Sequence, residues 1–190
     1  MRISQAGVVA VLGVLALGCD SATPLVEPGA TVLMSQGAVL GGTNGGGQAV
    51  LPAGFSELKF SFTATALANG KAVGQFRQVY VSGGGRVDFH GRVTCMSVDL
   101  ANGRAWIGGV ITQNNSTNPA VMKEIHEPGR DVWFRVVDNG EGGDVPDRTT
   151  VFGFEGAAGF ITSAAYCAGQ PWSANDANTW AVDAGNIQVR

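Results

Sequence analysis

Period two restricts this chain more than any other feature. In "ELKFSFTATA", Leu58, Phe60, Phe62, Ala64 and Ala66 fall on one face, and Glu57, Lys59, Ser61, Thr63 and Thr65 fall on the other. Only an extended strand sends successive side chains to opposite sides, so this segment is a strand with one face in a core. The alternation returns in "RVDFHGRVTCMSVD", with Val87, Phe89, Val93 and Cys95 expected inward and Asp88, His90, Arg92 and Thr94 outward. It returns in "RAWIGGVIT" (Ala105, Ile107, Gly109, Ile111) and in "DVWFRVVD" (Val132, Phe134, Val136). Further strands are expected over Ala72 to Ser82, over Thr149 to Glu155 and in the terminal "GNIQVR", where Ile187 and Val189 share a face.

Turn residues punctuate these runs. Asn69-Gly70, Gly83 to Gly85 and Asn102-Gly103 each separate two strands by a few residues. Glycine accepts positive φ without steric cost, so these are hairpin turns. Strands joined this way give an all-β antiparallel meander of seven to eight strands. A small barrel is favoured over a sandwich, because successive hairpins keep the same inward phase. Gly108-Gly109 marks a bulge or a close backbone approach. Two stretches break the pattern. Within residues 113–129, "NPAVMKEIHEPG" has room for one short helical turn ended by Pro128-Gly129, and residues 156–183 are rich in Ala, Gly and Ser with no clear period. With 29 glycines and only 14% charged residues, long helices are not expected.

The amino terminus reads as a targeting segment. Arg2 supplies the positive start, Ala6 to Leu17 is an apolar run, and Leu15-Ala16-Leu17-Gly18-Cys19 follows. The run is shorter than the ~20 residues of a spanning helix. The small residues before Cys19 resemble a bacterial lipobox, with Ala16 standing where leucine is usual. The resemblance implies cleavage before Cys19 and lipid on its sulfur. The expected organisation is a signal peptide over 1–18, a lipid anchor and flexible tether over 19–44 and an all-β domain over 45–190. The tether carries Pro24, Pro28 and the "GGTNGGG" of Gly41 to Gly47. The expected location is the cell envelope, outside the cytoplasm, with lipid as the membrane partner. Without Arg2 the chain has 11 Lys and Arg against 15 Asp and Glu, which leaves no electrostatic footprint for nucleic acid. Cys95 and Cys167 then form an even pair in an oxidising compartment and are read as a disulfide, with two buried thiols as the rival reading.

"FSFTATALANGKAVGQF", "HGRVTC", "AWIGGVIT", "FRVVDNGEG", "PDR" and "GNIQVR" resemble an uncharacterised family of secreted bacterial β-proteins over roughly Gly45 to Arg190. The resemblance implies the β fold and no activity. Against it, Asn114 to Pro128 and Gly156 to Asp183 are insertions, the places where an individual function would sit.

No residue stands out as catalytic. The chain has no G-x-S-x-G elbow, H-E-x-x-H helix, Walker loop or dinucleotide fingerprint. No cofactor is expected, and a binding or structural role is favoured over an enzyme. The acids Asp138, Glu141, Asp144 and Asp147 recur at every third position, but Gly140, Gly142, Gly143 and Pro146 forbid a helix there. The loop is read as a shaped hairpin connection, in which Asp138 accepts from backbone N–H groups and Asp147 holds Arg148 or Arg135. A noncanonical calcium loop and a paired-carboxylate site are the alternatives. His90 and His126 would make a zinc site only if they met. Trp106, Trp133, Trp172 and Trp180 are core residues or the lining of a ligand mouth. A barrel holding a small apolar ligand among Phe60, Phe62, Phe89, Ile107 and Phe134 is the alternative function.

Overall fold

The computed structural model describes residues 38–142 and 144–190. Cys19, the signal segment and most of the expected tether lie outside the described residues. Eight strands follow in order: β1 (Val39–Ala49), β2 (Leu58–Leu67), β3 (Ala72–Ser82), β4 (Gly85–Asp99), β5 (Arg104–Asn114), β6 (Asp131–Val137), β7 (Arg148–Thr149) and β8 (Trp180–Val189). Each pairs antiparallel with the next, and β1 also pairs with β8, so the meander rings round as one closed barrel. One helix, α1 (Ser163–Gly169), lies in the irregular stretch before β8.

The interior is filled with aromatic rings. Phe76 meets Phe134 and Phe152 edge to face at centroid distances of 5.7 and 5.1 Å, and Phe62 meets Phe134 at 5.4 Å. These rings need room that glycines directly across on the neighbouring strands supply. A Cβ on Gly91 would sit 2.0 Å from the Phe76 ring, and one on Gly45 would sit 2.9 Å from the Phe62 ring. The axis that a lumen ligand would occupy is thus taken by protein side chains, and the apolar-carrier reading loses its site.

Two expected boundaries are corrected. Residues 39–44 belong to β1 rather than to a tether, and the glycine-rich run is a strand clamped between β2 and β8. Composition suggested a spacer; the missing side chains instead admit the neighbouring ring. The expected strand over Thr149 to Glu155 shrinks to the two residues of β7. Beyond Thr149 the chain takes a side-chain partner. Gln78 points into the barrel, donates to the Thr150 carbonyl at 2.9 Å and accepts from the Phe152 N–H at 2.9 Å. A buried amide thereby stands in for a ladder rung.

The phase of β4 is corrected as well. A bulge between Val93 and Cys95 shifts the register, so that Cys95 faces Gly108 and Met96 faces the inward Ile107. Cys95 therefore points out of the barrel. There it meets Cys167 of α1 in a disulfide with Cα atoms 6.2 Å apart, which ties the helix to the outer wall. Gly108 gives the close approach: a Cβ there would lie 2.7 Å from the Cys95 sulfur and 2.8 Å from Ser163 Cβ.

Candidate functional site

β5 and β6 are covered on both faces. The outward residues Trp106, Trp133 and Arg135 are 0–2% exposed, because residues 155–179 fold back over them. Trp106, Trp133 and Tyr166 form a small second core outside the barrel, with Ala157 and Phe160 against it. The Thr162 side chain caps α1 by accepting from Ala165 N–H, and Asp131 at the start of β6 accepts from the N–H and hydroxyl of Ser163. Tyr166 then stacks on Trp133 at 5.7 Å and 22°.

Arg135 shapes the next segment. Its Nη1 donates to the carbonyls of Trp172 (2.5 Å), Asn175 (3.0 Å) and Pro171 (3.3 Å), and its Nη2 donates to that of Ala177 (2.7 Å). No carboxylate pairs with it among the described residues; carbonyl dipoles balance the charge instead. Burial lowers its pKa from the ordinary arginine value, while nearby Tyr166 and Asp176 act the other way. Trp106 Nε1 also donates to the Pro171 carbonyl at 2.9 Å, and Arg104 holds Asp176 at 3.0 Å. The loop over 171–177 is therefore wound around one buried guanidinium.

The winding leaves a cleft of about 360 Å³ between this loop and the edge of β6. Trp133, Phe152, Tyr166, Trp172 and Trp180 line it, with Asn178 among the few polar residues. Among the described residues four non-glycine residues have positive φ, and three of them line the cleft: Ala158 (56°), Trp172 (57°) and Asn178 (60°). A bulky side chain in the left-handed region costs energy and persists only where its surroundings impose it. Here the Arg135 clamp imposes it, and the guanidinium carbon lies 5.7 Å from the centre of the Trp172 ring. Burial also pushes the Tyr166 hydroxyl pKa far up, against an opposing effect of Arg135, so the phenol stays neutral. Of the four tryptophans singled out from sequence, Trp133, Trp172 and Trp180 line the cleft and Trp106 lies in the second core.

The acidic loop is built differently from expectation. Asp138 does accept from backbone, from Gly140 N–H (2.8 Å) and from Val189 N–H of β8 (2.8 Å). Asp147 holds neither Arg148 nor Arg135. It accepts from Asn139 N–H (2.9 Å) and Ile187 N–H (2.7 Å), while Arg148 turns to Thr179 and Arg135 to the clamp. The competing principle is satisfaction of buried N–H groups, which outweighs an ion pair at a strand edge. Glu141 meets the Gln188 amide, and Asp144 is exposed. Among the described residues no three His, Cys, Asp or Glu side chains form a metal-holding group. The two histidines are not brought together. His90 Nε2 lies 3.6 Å from Asp88 on the outer wall, and His126 is buried against Phe89 and Phe154.

Sequence reasoning missed Tyr166, and it placed Arg135 beside Asp147 rather than under the covering loop that holds Trp172. One signal was present. Val132 to Val137 is apolar on both alternating faces except for Arg135, the mark of a strand covered on both sides. An arginine inside such a run must find partners in the covering layer. No family model, no curated protein and no solved structure matches this chain.

Proposed function

We propose that this chain is a lipid-anchored binding domain of the cell envelope, and that it holds a neutral, ring-bearing ligand in the aromatic cleft. The observation that carries this reading is the cleft itself: three tryptophans and a tyrosine kept open by strained backbone over a buried arginine. Ligand sites are concave, largely apolar and largely pre-formed, and this cleft has each property. The chemistry selects a neutral occupant. A cation would be repelled by Arg135 beneath Trp172, and an anion would lose its hydration against a lining with almost no polar surface. Stacking between rings is the attraction that remains. The anchor rests on the apolar run ending at Cys19. Nothing in the cleft positions a nucleophile or a paired acid and base, so the reading is binding and not turnover.

The test uses N-phenyl-1-naphthylamine, a neutral two-ring fluorophore. Saturable fluorescence enhancement above that of the same detergent without protein is expected with the full chain, and at least tenfold weaker binding is expected in Trp180→Ala and in Trp172→Ala. Enhancement that is absent, or equal in both variants, refutes the cleft. The anchor is tested separately. Cys19→Ser should move the protein from membrane to soluble fractions, and a variant that stays membrane-bound refutes lipidation.

A further inference from the structure

A second surface lies on another wall of the barrel. The register aligns two outward rows across six strands. One runs Asn186, Gly46, Ser61, Arg77, His90, Gln113, and the next runs Gln188, Asn44, Thr63, Gln75, Arg92, Val110. All of these residues except Arg92 and Val110 line an open groove of about 900 Å³. The floor is low because Gly46 and Ser61 carry little or no side chain. Exposed strand faces are normally solvated by lysine and glutamate. This one carries amides and hydroxyls, each able to donate and accept.

The groove also carries a fixed positive group. Asp88 is almost fully buried, at 2% exposure. It accepts from Arg77 Nε and Nη2, both at 3.0 Å, and from Arg86 Nη2 at 2.6 Å. This fork holds Arg77 in one orientation against the groove wall and leaves its Nη1 for a ligand. Two arginines share one carboxylate, so the cluster keeps a surplus positive charge. Arg92, in the neighbouring row, is exposed and stands outside the groove lining.

We propose that this groove binds an acidic glycan, a hydroxyl-rich chain laid across β1 to β5 with a carboxylate on Arg77. The amides and hydroxyls recognise ring hydroxyls, and the Nη1 that the Asp88 fork leaves over donates to the acid in a charge-assisted hydrogen bond. An open groove crossing several strands suits a polymer better than a compact solute. The site is independent of the aromatic cleft and stands or falls apart from it.

Calorimetry with the full chain in detergent tests this, using a six-residue galacturonate oligomer as the acidic probe and cellohexaose as the neutral one. The expected result is saturable binding of the galacturonate, at least tenfold weaker in Arg77→Gln and weakened further by salt. Asn44→Trp obstructs the groove from β1, two strands away from Arg77 and the Asp88 cluster, and it should abolish binding even if Arg77→Gln perturbs the fold. Trp180→Ala should leave this binding unchanged. No binding of the galacturonate overturns the proposal, and so does binding indifferent to both groove substitutions. Equal binding of cellohexaose overturns the acidic selection, and equal binding of a polyglutamate peptide overturns the glycan in favour of a general anion patch.

Discussion

Replacing Arg135 with methionine separates the loop from the barrel that carries it. Methionine keeps the apolar stem and removes the fork. Four carbonyls, those of Pro171, Trp172, Asn175 and Ala177, lose their donor. A hydrogen bond to a charged group contributes about 1.5–3 kcal/mol, and at the low end the three shorter bonds sum to roughly 4–5 kcal/mol. Two effects reduce this. The Asn175 region is exposed, so its carbonyl can turn to water, and methionine also relieves the desolvation of a buried cation. A net loss of about 2–3 kcal/mol remains, which corresponds to roughly 30–150-fold in the opening equilibrium of the loop.

Hydrogen exchange reads that equilibrium residue by residue. In Arg135→Met the amides over 170–178 should exchange at least thirtyfold faster, while those of β2 and β3 change far less. Arg135→Lys should not rescue the loop, since an ammonium restores the charge without the planar fork. N-phenyl-1-naphthylamine binding should fall in parallel, because Trp172 keeps its left-handed conformation only under the clamp. Unchanged exchange over 170–178 in Arg135→Met would refute this reasoning. Equal acceleration throughout the barrel would do the same, by showing that Arg135 supports the whole fold.

Gly91→Ala should lower stability by about 1–3 kcal/mol in urea unfolding, the usual cost of overpacking, because its Cβ would lie 2.0 Å from the Phe76 ring; Phe76→Leu in the same chain should recover part of that loss. Reducing the Cys95–Cys167 bridge, whose residues are 72 apart, should cost about 4 kcal/mol in the chain-entropy model and should free α1 before the barrel strands in exchange. His126 is buried with no partner for Nδ1 among the described residues, and burial, then Lys123, lowers its pKa from 6.5. Its unfolded form binds the proton first, so its contribution is complete above pH ~6.5 and is lost as pH falls through the folded value; His126→Phe should flatten the pH dependence of stability in that window. Asp147→Ala leaves Asn139 N–H and the buried Ile187 N–H without an acceptor and should cost about 1–3 kcal/mol, read by thermal unfolding.

The barrel was legible wherever alternation ran unbroken. Leu58 to Ala64 gave the inward face of β2, Asn69-Gly70 and Asn102-Gly103 gave their turns, and Ala105, Ile107 and Gly109 gave that of β5. Legibility failed where a long-range partner replaced a local rule. β1 is a strand because β2 and β8 flank it and the Phe62 ring fits over Gly45, and none of that is local to "GGTNGGG". Cys95 points outward because the bulge before it advances the phase by one residue, and no residue type there announces the bulge. Asp147 turned to Ile187, forty residues on, a neighbour that only barrel closure supplies.

The two candidate sites lie on outer walls for one reason. The lumen is closed by phenylalanine rings, so a ligand must meet the barrel from outside. β7 is two residues long, and the chain beyond it spills outward and folds over β5 and β6. The wall beneath that cover carries Trp106 and Trp133 at its outward positions, and the wall that stays bare carries Ser61, Thr63 and Gln75 at the equivalent ones. Outward composition therefore reports cover, strand by strand. Arg135 breaks the apolar rule on the covered wall, and Arg77 rises from the otherwise uncharged floor of the bare one. Each is held by fixed partners, carbonyls in one case and Asp88 in the other. A charge fixed in one orientation at the edge of a cavity gives that cavity its selectivity. In the cleft the charge rejects cations; in the groove it attracts acids.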